Sequence, residues 1–379
     1  MKAISMAKKS GGPDVVALVD DVLTRATRVG ASDVHFEPTS GDMLIRFRLD
    51  GVLNTVLKLP GPLAQKAVSR LKVLGGLVTY RNDIPQEGGM HDEARPGLDR
   101  RVSIFPTIYG QRAVVRLFQD DPRLDDLDSL GFSNQTIATL KAMVNSAGGM
   151  LLVTGPAGSG KSTTLAAILR HILKTSPGKS IVALEDPVER HIEGVTQVRV
   201  NPQGAMTFPV ALRSLLRQDP QVLMLGEIRD AQTAAIAVEA ALTGHFLMST
   251  LHSGTPSAAL LRLLEMGIEP YQVTSSVLGI VNQRLLRRLC ANCKKNDNSG
   301  AWLPVGCPKC FSTGYHGRIL VAEMLSMTPG LRQAVLAKAD VENIGKVLEA
   351  EGHRPLALEA QRLLAAGITS QAELNRISY

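Results

Sequence analysis

The sequence predicts an α/β protein: a main domain on a parallel sheet, preceded by a smaller α+β domain and followed by a cysteine insert and a helical tail. Three observations carry this. From Gly131 onward, apolar runs alternate with helical stretches, as in a parallel sheet covered on both faces. Before that, Asp42–Asp50 alternates strictly between apolar and polar, the period of a half-buried strand. All four cysteines fall between residues 290 and 310. The length of 379 residues suits two or three domains, and 44% hydrophobic with 20% charged residues excludes a disordered chain. No window approaches the 18 apolar residues of a spanning helix, and Met1–Ser10 lacks the apolar core of a signal peptide, so a cytosolic address is expected. The net charge, 42 − 35 = +7, permits nucleic acid, anionic membrane or nucleotide as partner and does not choose among them.

Residues 1–118 read as the α+β domain. Val16, Val19, Leu23 and Ala26 recur at helical spacing behind Pro13, and Gly30 lies where the helix would stop. In the alternating segment Met43, Ile45, Phe47 and Leu49 share one face, with Arg46 and Arg48 on the other. Arg101–Phe105 and Ala113–Phe118 are two further strands, joined through Pro106 and Gly110. Residues 119–130 hold five aspartates and a proline and read as a solvated acidic linker. Residues 131–288 form the main domain, with strands at Met150–Thr154, Ser180–Leu184, Gln221–Leu225 and His245–Thr250 and an Ala-rich helix, Ala231–Leu242, closed by Gly244. A cysteine module spans 289–315, and 316–379 reads as helical, with Pro355–Ala366 ending at Gly367.

Gly155-Pro156-Ala157-Gly158-Ser159-Gly160-Lys161-Ser162, followed by Thr163, fits G-x-x-x-x-G-K-[ST] at every fixed position, between an apolar strand and a helix. Glycines let successive N–H groups turn inward around a polyphosphate, and the helix N-terminus adds a favourable dipole. Lys161 would reach the β- and γ-phosphates, and the Ser162 hydroxyl would join a magnesium shell. An acidic residue should end a later strand, and Glu227 closes Gln221-Val-Leu-Met-Leu-Gly-Glu227, where it would organise the magnesium's water shell or help position an attacking water. Glu185-Asp-Pro-Val-Glu189 places three carboxylates at another strand's carboxyl end, the edge where open parallel sheets bind ligands; one of them could orient or deprotonate a hydrolytic water.

Cys290-Ala-Asn-Cys293 and Cys307-Pro-Lys-Cys310 are two C-x-x-C pairs with 13 residues between Cys293 and Cys307. Two such knuckles complete a tetrahedral thiolate shell that suits zinc, with no position left for a catalytic water; thioredoxin-like redox chemistry is the rival reading. The basic stretch Gln283-Arg-Leu-Leu-Arg-Arg-Leu289 raises a zinc-ribbon nucleic-acid binder, but 4% aromatics and no Lys/Arg run beyond two give it little support.

Taken in order, Gly158-Ser-Gly-Lys-Ser-Thr-Thr-Leu165, Glu185-Asp-Pro-Val-Glu189, Leu216-Arg-Gln-Asp-Pro-Gln221, Gly226-Glu-Ile-Arg-Asp230 and Thr243-Gly-His-Phe-Leu-Met-Ser-Thr-Leu-His252 resemble the secretion ATPases of type II secretion and type IV pilus assembly. Gly30-Ala-Ser-Asp-Val-His-Phe-Glu-Pro38, Arg46-Phe-Arg-Leu-Asp-Gly51 and Gly110-Gln-Arg-Ala-Val-Val-Arg-Leu117 are similar to that family's second N-terminal domain, so the resemblance covers nearly the whole chain. It implies a RecA-like ATPase domain behind a PAS-like α+β domain, a structural zinc module, and a hexameric motor using ATP and Mg²⁺. It implies work at the cytosolic face of the inner membrane with platform proteins of a secretion or pilus machine. By the same resemblance Glu189 is the catalytic carboxylate, supported by Glu185 and Asp186, and Glu227 is the acidic residue of the magnesium strand. His245 and His252 match the histidine box, and Arg101, Arg116, Arg213 and Arg217 match arginines that approach the phosphates when domains or neighbouring subunits close. Ser253 and Gly254 stand where the family usually has Thr and Asn after the histidine, and the spacer between cysteine pairs is shorter than usual. A nucleic-acid translocase with the same core is the alternative.

Overall fold

The computed structural model describes residues 8–9, 12–90, 100–117, 121–201, 204–297 and 300–377. Most of the Met1–Ser10 opening, Phe118 at the end of its strand, and Gln119 and Asp120 of the acidic segment lie outside the described residues. The chain forms two compact units: residues 1–120 with Cys307–Tyr315, and Asp121–Gly306 with His316–Tyr379.

In the first unit, Asp14 caps α1 (Val15–Arg28) by accepting from the Ala17 N–H at 3.1 Å. Then come β1 (Asp33–Pro38), β2 (Asp42–Leu49), β3 (Val52–Pro60), α2 (Gly61–Leu74), β4 (Gln86–Met90), β5 (Arg100–Thr107) and β6 (Gly110–Leu117). The strands make one antiparallel sheet in the order β3-β2-β1-β6-β5-β4. As the alternation requires, Met43, Ile45, Phe47 and Leu49 are buried, and they pack with α1 in one core. The helix stripe is rotated from the expected one: Val15, Leu18, Val19, Val22, Leu23 and Ala26 face the core, whereas Val16 is 48% exposed. Three strands, β1, β3 and β4, go beyond those expected, and β1 escapes a pattern search because Asp33 and His35 are buried beside Val34 and Phe36.

The second unit opens with two short 3-10 turns, Pro122–Leu124 and Leu127–Ser129. This acidic segment is not simply solvated. Leu127 is 1% exposed, Asp125 pairs with Arg170 at 2.9 Å, and Asp128 pairs with Lys141 at 2.7 Å. The elements that follow are α3 (Asn134–Val144), β7 (Gly149–Thr154), α4 (Lys161–Thr175), β8 (Ile181–Glu185), β9 (Thr196–Arg199), α5 (Phe208–Leu215), β10 (Val222–Leu225), α6 (Ala231–Leu242), β11 (Phe246–Leu251), α7 (Pro256–Glu265), α8 (Pro270–Ser276) and β12 (Val277–Leu289). β13 (Tyr315–Ser326) precedes α9 (Pro329–Leu336), α10 (Val341–Ala350), α11 (Leu356–Ala365) and α12 (Gln371–Ile377). The sheet runs β9-β8-β10-β11-β7-β12-β13, and the five pairs from β9–β8 to β7–β12 are parallel. Successive side chains of β7 serve opposite cores: Leu152 packs with Leu223 and Leu247, and Leu151 and Val153 with Met224 and Met248. That two-sided burial is why these strands read as continuous apolar runs.

Two long strands depart from expectation. β12 carries buried polar residues, Asn282 and Gln283, where a core strand should be apolar, and β13 lies in a segment read as helical. The tail beyond Met327 is helical as expected. Its last helix is tied to β12 by Glu373, fully buried, which accepts from the Arg287 N–H at 3.0 Å and pairs with Arg287 at 2.8 Å and Arg376 at 2.6 Å. Burial opposes ionisation of Glu373, but the hydrogen bonds from Arg376 and Arg287 outweigh it and hold the carboxyl below its ordinary range. A depressed folded-state value means stability present above the ordinary glutamate range and lost as pH falls through the folded one. Glu373→Gln is expected to cost roughly 2–4 kcal/mol at pH 7, because two guanidiniums lose their counter-charge. In urea denaturation the gap between variant and wild type should shrink as the pH is taken below about 4. Among the described residues, no helix is long and apolar enough to cross a membrane.

Candidate nucleotide-hydrolysis site

The phosphate loop leaves β7 at Gly155, whose φ of 139° and close approach to the Gln283 carbonyl leave no room for a side chain. Gly160, at φ 92°, turns the chain into α4, so that the helix begins at Lys161 with its first N–H groups facing the loop. Gln283 of the adjacent β12 holds this turn from below. It is fully buried, accepts from the Thr164 hydroxyl at 2.9 Å, and donates to the Ser159 carbonyl at 2.8 Å. Lys161 donates to the Gly155 and Pro156 carbonyls at 2.9 and 3.0 Å. Burial lowers its pKa, a tendency that the Glu227 carboxylate opposes, Arg284 reinforces and Glu189 opposes. The buried Ser159 hydroxyl has no hydrogen-bond partner among the described residues. A lysine folded onto carbonyls and an unpartnered hydroxyl beside the N-terminus of α4 fit a polyphosphate.

Beside the loop is a cavity of about 60 Å³, lined by Ser162, Thr163, Glu185, Glu189, Arg190 and Gly226 among others. This is room for a few waters. Glu185 ends β8, and Glu227 follows β10 by two residues. The Gly226 turn is fixed on both sides, its N–H donating to the Leu184 carbonyl and its carbonyl accepting from the Thr250 hydroxyl, each at 2.7 Å. Glu227 pairs with Arg229, and His252 Nε2 stands 3.7 Å from its other oxygen. Glu185 is pushed up by burial, against hydrogen bonds from Gln197 and the Glu189 N–H, with the Glu189 charge adding to the rise. The hard oxygen donors around the cavity, the Ser162 hydroxyl and the nearby carboxylates, suit magnesium better than a softer metal.

The other expected residues are placed elsewhere. Arg213, Arg217 and His245 line a separate open cavity of about 530 Å³ with Glu239 and Thr243. His245 precedes β11 and His252 follows it, so the six-residue strand sets the two histidines at opposite edges of the sheet, roughly 20 Å apart. His245 Nδ1 is within 3.0 Å of the Ala240 carbonyl. Arg101 and Arg116, in the first unit, are cross-strand partners, and Arg116 pairs with Asp33 at 3.2 Å. Two arginines of the Gln283–Leu289 stretch are engaged within their own unit: Arg284 donates to the Gly254 carbonyl at 3.0 Å, and Arg287 holds Glu373.

The four cysteine sulfurs lie within 4.8 Å of one another, with Cys307 and Cys310 sulfurs 3.8 Å apart. Zinc–sulfur bonds of about 2.3 Å give a tetrahedron with edges of about 3.8 Å, so the cluster fits the ion. The Cys307 and Gly314 N–H groups point at the Cys310 sulfur, at 3.1 and 3.3 Å, as expected around a thiolate.

Sequence reasoning missed Gln283, Arg229 and Gln197, whose role is taken up below. Arg229 was within reach, since it stands two residues beyond Glu227; Gln283 was hidden in a stretch that reads as basic surface.

The chain is similar to several known proteins. The chain is 40% identical over 370 residues to the type II secretion system protein HxcR of Pseudomonas aeruginosa, covering 97% of this chain and 78% of that one. It is 37% identical over 375 residues to the type IV pilus assembly ATPase PilB of Thermus thermophilus, covering 94% of this chain and 42% of that one. Its fold matches the Legionella pneumophila ATPase DotB with a TM-score of 0.71 at 19% identity, covering 98% of each chain. Residues 8–376 match the type II/IV secretion system protein family. With the loop, the acidic strand ends and the tetracysteine cluster in place, the chain belongs to that family.

Proposed function

We propose that this chain is an ATPase that works as a homo-hexameric motor, driving pilin or pseudopilin assembly for type II secretion or a type IV pilus at the cytosolic face of the inner membrane. The observation that carries the reading is the small cavity between the phosphate loop and Glu185–Glu189. ATP would lie on the loop, its β- and γ-phosphates held by backbone N–H groups and by Lys161 after that side chain swings off the Gly155 and Pro156 carbonyls. Ser162 would hold Mg²⁺, which supplies charge neutralisation at the phosphates, and Glu227 would order its waters. Glu189 orients the hydrolytic water and receives its proton as the oxygen attacks the γ-phosphorus; the bond to the β-phosphate oxygen breaks and ADP leaves. Glu185, raised by burial, supports Glu189 from the end of β8.

Arg213 and Arg217 share a cavity with His245, at the amino end of β11, whereas the loop leaves the carboxyl end of the parallel strand β7, so a role on phosphates is better met on a second copy of the chain. This favours a ring. Arg101 and Arg116 of the N-terminal domain are the other candidates for neutralising the transferring phosphoryl group, since a guanidinium fork matches its oxygens. Cys290, Cys293, Cys307 and Cys310 would hold a structural zinc. Inner-membrane platform proteins of the secretion or pilus machine are the expected partners.

The test is ATP hydrolysis measured across size-exclusion fractions, with and without double-stranded DNA. Activity should concentrate in the hexamer, with DNA changing it less than about twofold at physiological salt. Full activity in the monomer removes the ring, and strong stimulation by DNA favours a nucleic-acid translocase.

A further inference from the structure

We propose that Gln197, on the edge strand β9, is a positioning residue that clamps the acidic loop and thereby sets the rate of hydrolysis without touching nucleotide. The inference rests on the proposed role of Glu189.

Three hydrogen bonds converge on this one side chain. Its Nε2 donates to Glu185 Oε1 at 2.8 Å and to the Arg190 carbonyl at 2.7 Å, and its Oε1 accepts from the Ile192 N–H at 2.8 Å. Both amide hydrogens are used. The reverse amide orientation would set oxygen against two acceptors and the NH₂ group against a donor, so the chemistry of the neighbours fixes which way the group points. The strand register delivers it there. Gln197 sits opposite Ala183 in the β8–β9 ladder, and Glu185, two residues along β8, projects from the same face.

The geometry of the clamp explains its purpose. Glu185 anchors the start of the acidic loop and Arg190 and Ile192 its far side, so Glu189 lies in a span held at both ends by one amide. Glu189 itself is exposed, and its neighbour Ile192 is buried. A short exposed loop with no such tie would sample many arrangements of its carboxylate, and misplacing a reacting group by about 1 Å costs on the order of a hundredfold in rate. None of Gln197's hydrogen bonds reaches Gly155–Thr163: its partners Glu185, Arg190 and Ile192 share a cavity with Ser162 and Thr163 without belonging to the phosphate loop. Its loss should therefore affect the chemical step and spare binding.

Gln197→Glu and Gln197→Met in the full chain test this. Glutamate keeps the size and the acceptor for Ile192 but turns a carboxylate toward Glu185 and the Arg190 carbonyl. Methionine keeps length and removes every polar atom. Both should lower kcat for ATP roughly 10- to 100-fold while KM and the affinity for a fluorescent ATP analogue stay within about twofold. Combined with Glu189→Gln, neither should lower the rate further, because the clamp acts through that residue. A kcat within about twofold of wild type in either variant, or losses that multiply in the double variants, overturns the proposal. So does loss of ATP binding together with a lower melting temperature, which would make Gln197 a folding residue. Full turnover by Glu189→Gln alone would sink the reading of Glu189; a dead Glu189→Gln beside normal Gln197 variants would sink only the clamp.

Discussion

Glu189→Gln is expected to lower ATP turnover by at least about a hundredfold while leaving ATP affinity within about twofold of wild type. The amide has the shape of the carboxylate and lacks its charge, so it cannot receive a proton from water. Every contact proposed for binding, from Gly155 to Ser162, lies outside the change. The carboxylate lines the same cavity as Ser162 and Glu185, which puts it on the side of the loop where the γ-phosphate would lie. Phosphate release at saturating ATP, beside titration of a fluorescent analogue, separates the two effects. Equal turnover in variant and wild type would move the role to Glu185 or Glu227.

Cys310→Ser is expected to abolish stoichiometric zinc, from about one ion per chain to a small fraction of that, and to lower the melting temperature by at least about 5 °C. Cys310 is the most buried of the four, 1% exposed, and receives two backbone N–H groups. A serine there leaves those donors facing a poor ligand for zinc, and the other three thiolates cannot close a tetrahedron. Metal analysis of the purified variant decides it. Full metal content would mean that the sulfurs gather without forming one four-ligand site.

How legible was this protein before its structure? Features whose signal is contiguous were plain. The helix Ala231–Leu242 has the bounds its alanines and Gly244 suggest, and the phosphate loop sits between β7 and α4 as its spacing requires. The segment Val277–Leu289 was not recognised as a strand because two adjacent polar residues interrupt its buried apolar ones: Asn282 and Gln283 are spent on other chain segments rather than on water. The acidic segment misled for a related reason. Asp125 and Asp128 look solvated in sequence, but their partners, Arg170 and Lys141, come from helices further along the chain. Within the site, the two glutamate-bearing strand ends could be read from sequence, whereas the placement of Arg213 and Arg217 depends on which edge of the sheet α5 runs toward. Gln197 had no signal at all, since a single glutamine on an edge strand gains meaning only through the turn that brings Glu185, Arg190 and Ile192 to it.

In the proposed mechanism the loop binds ATP and Glu189 carries the chemistry. This is tested most directly by incubating wild type and Glu189→Gln with ATP, quenching, and identifying the nucleotide bound to each. The wild type should hold mostly ADP and the variant mostly ATP; ADP formed at the same rate on both would contradict the account.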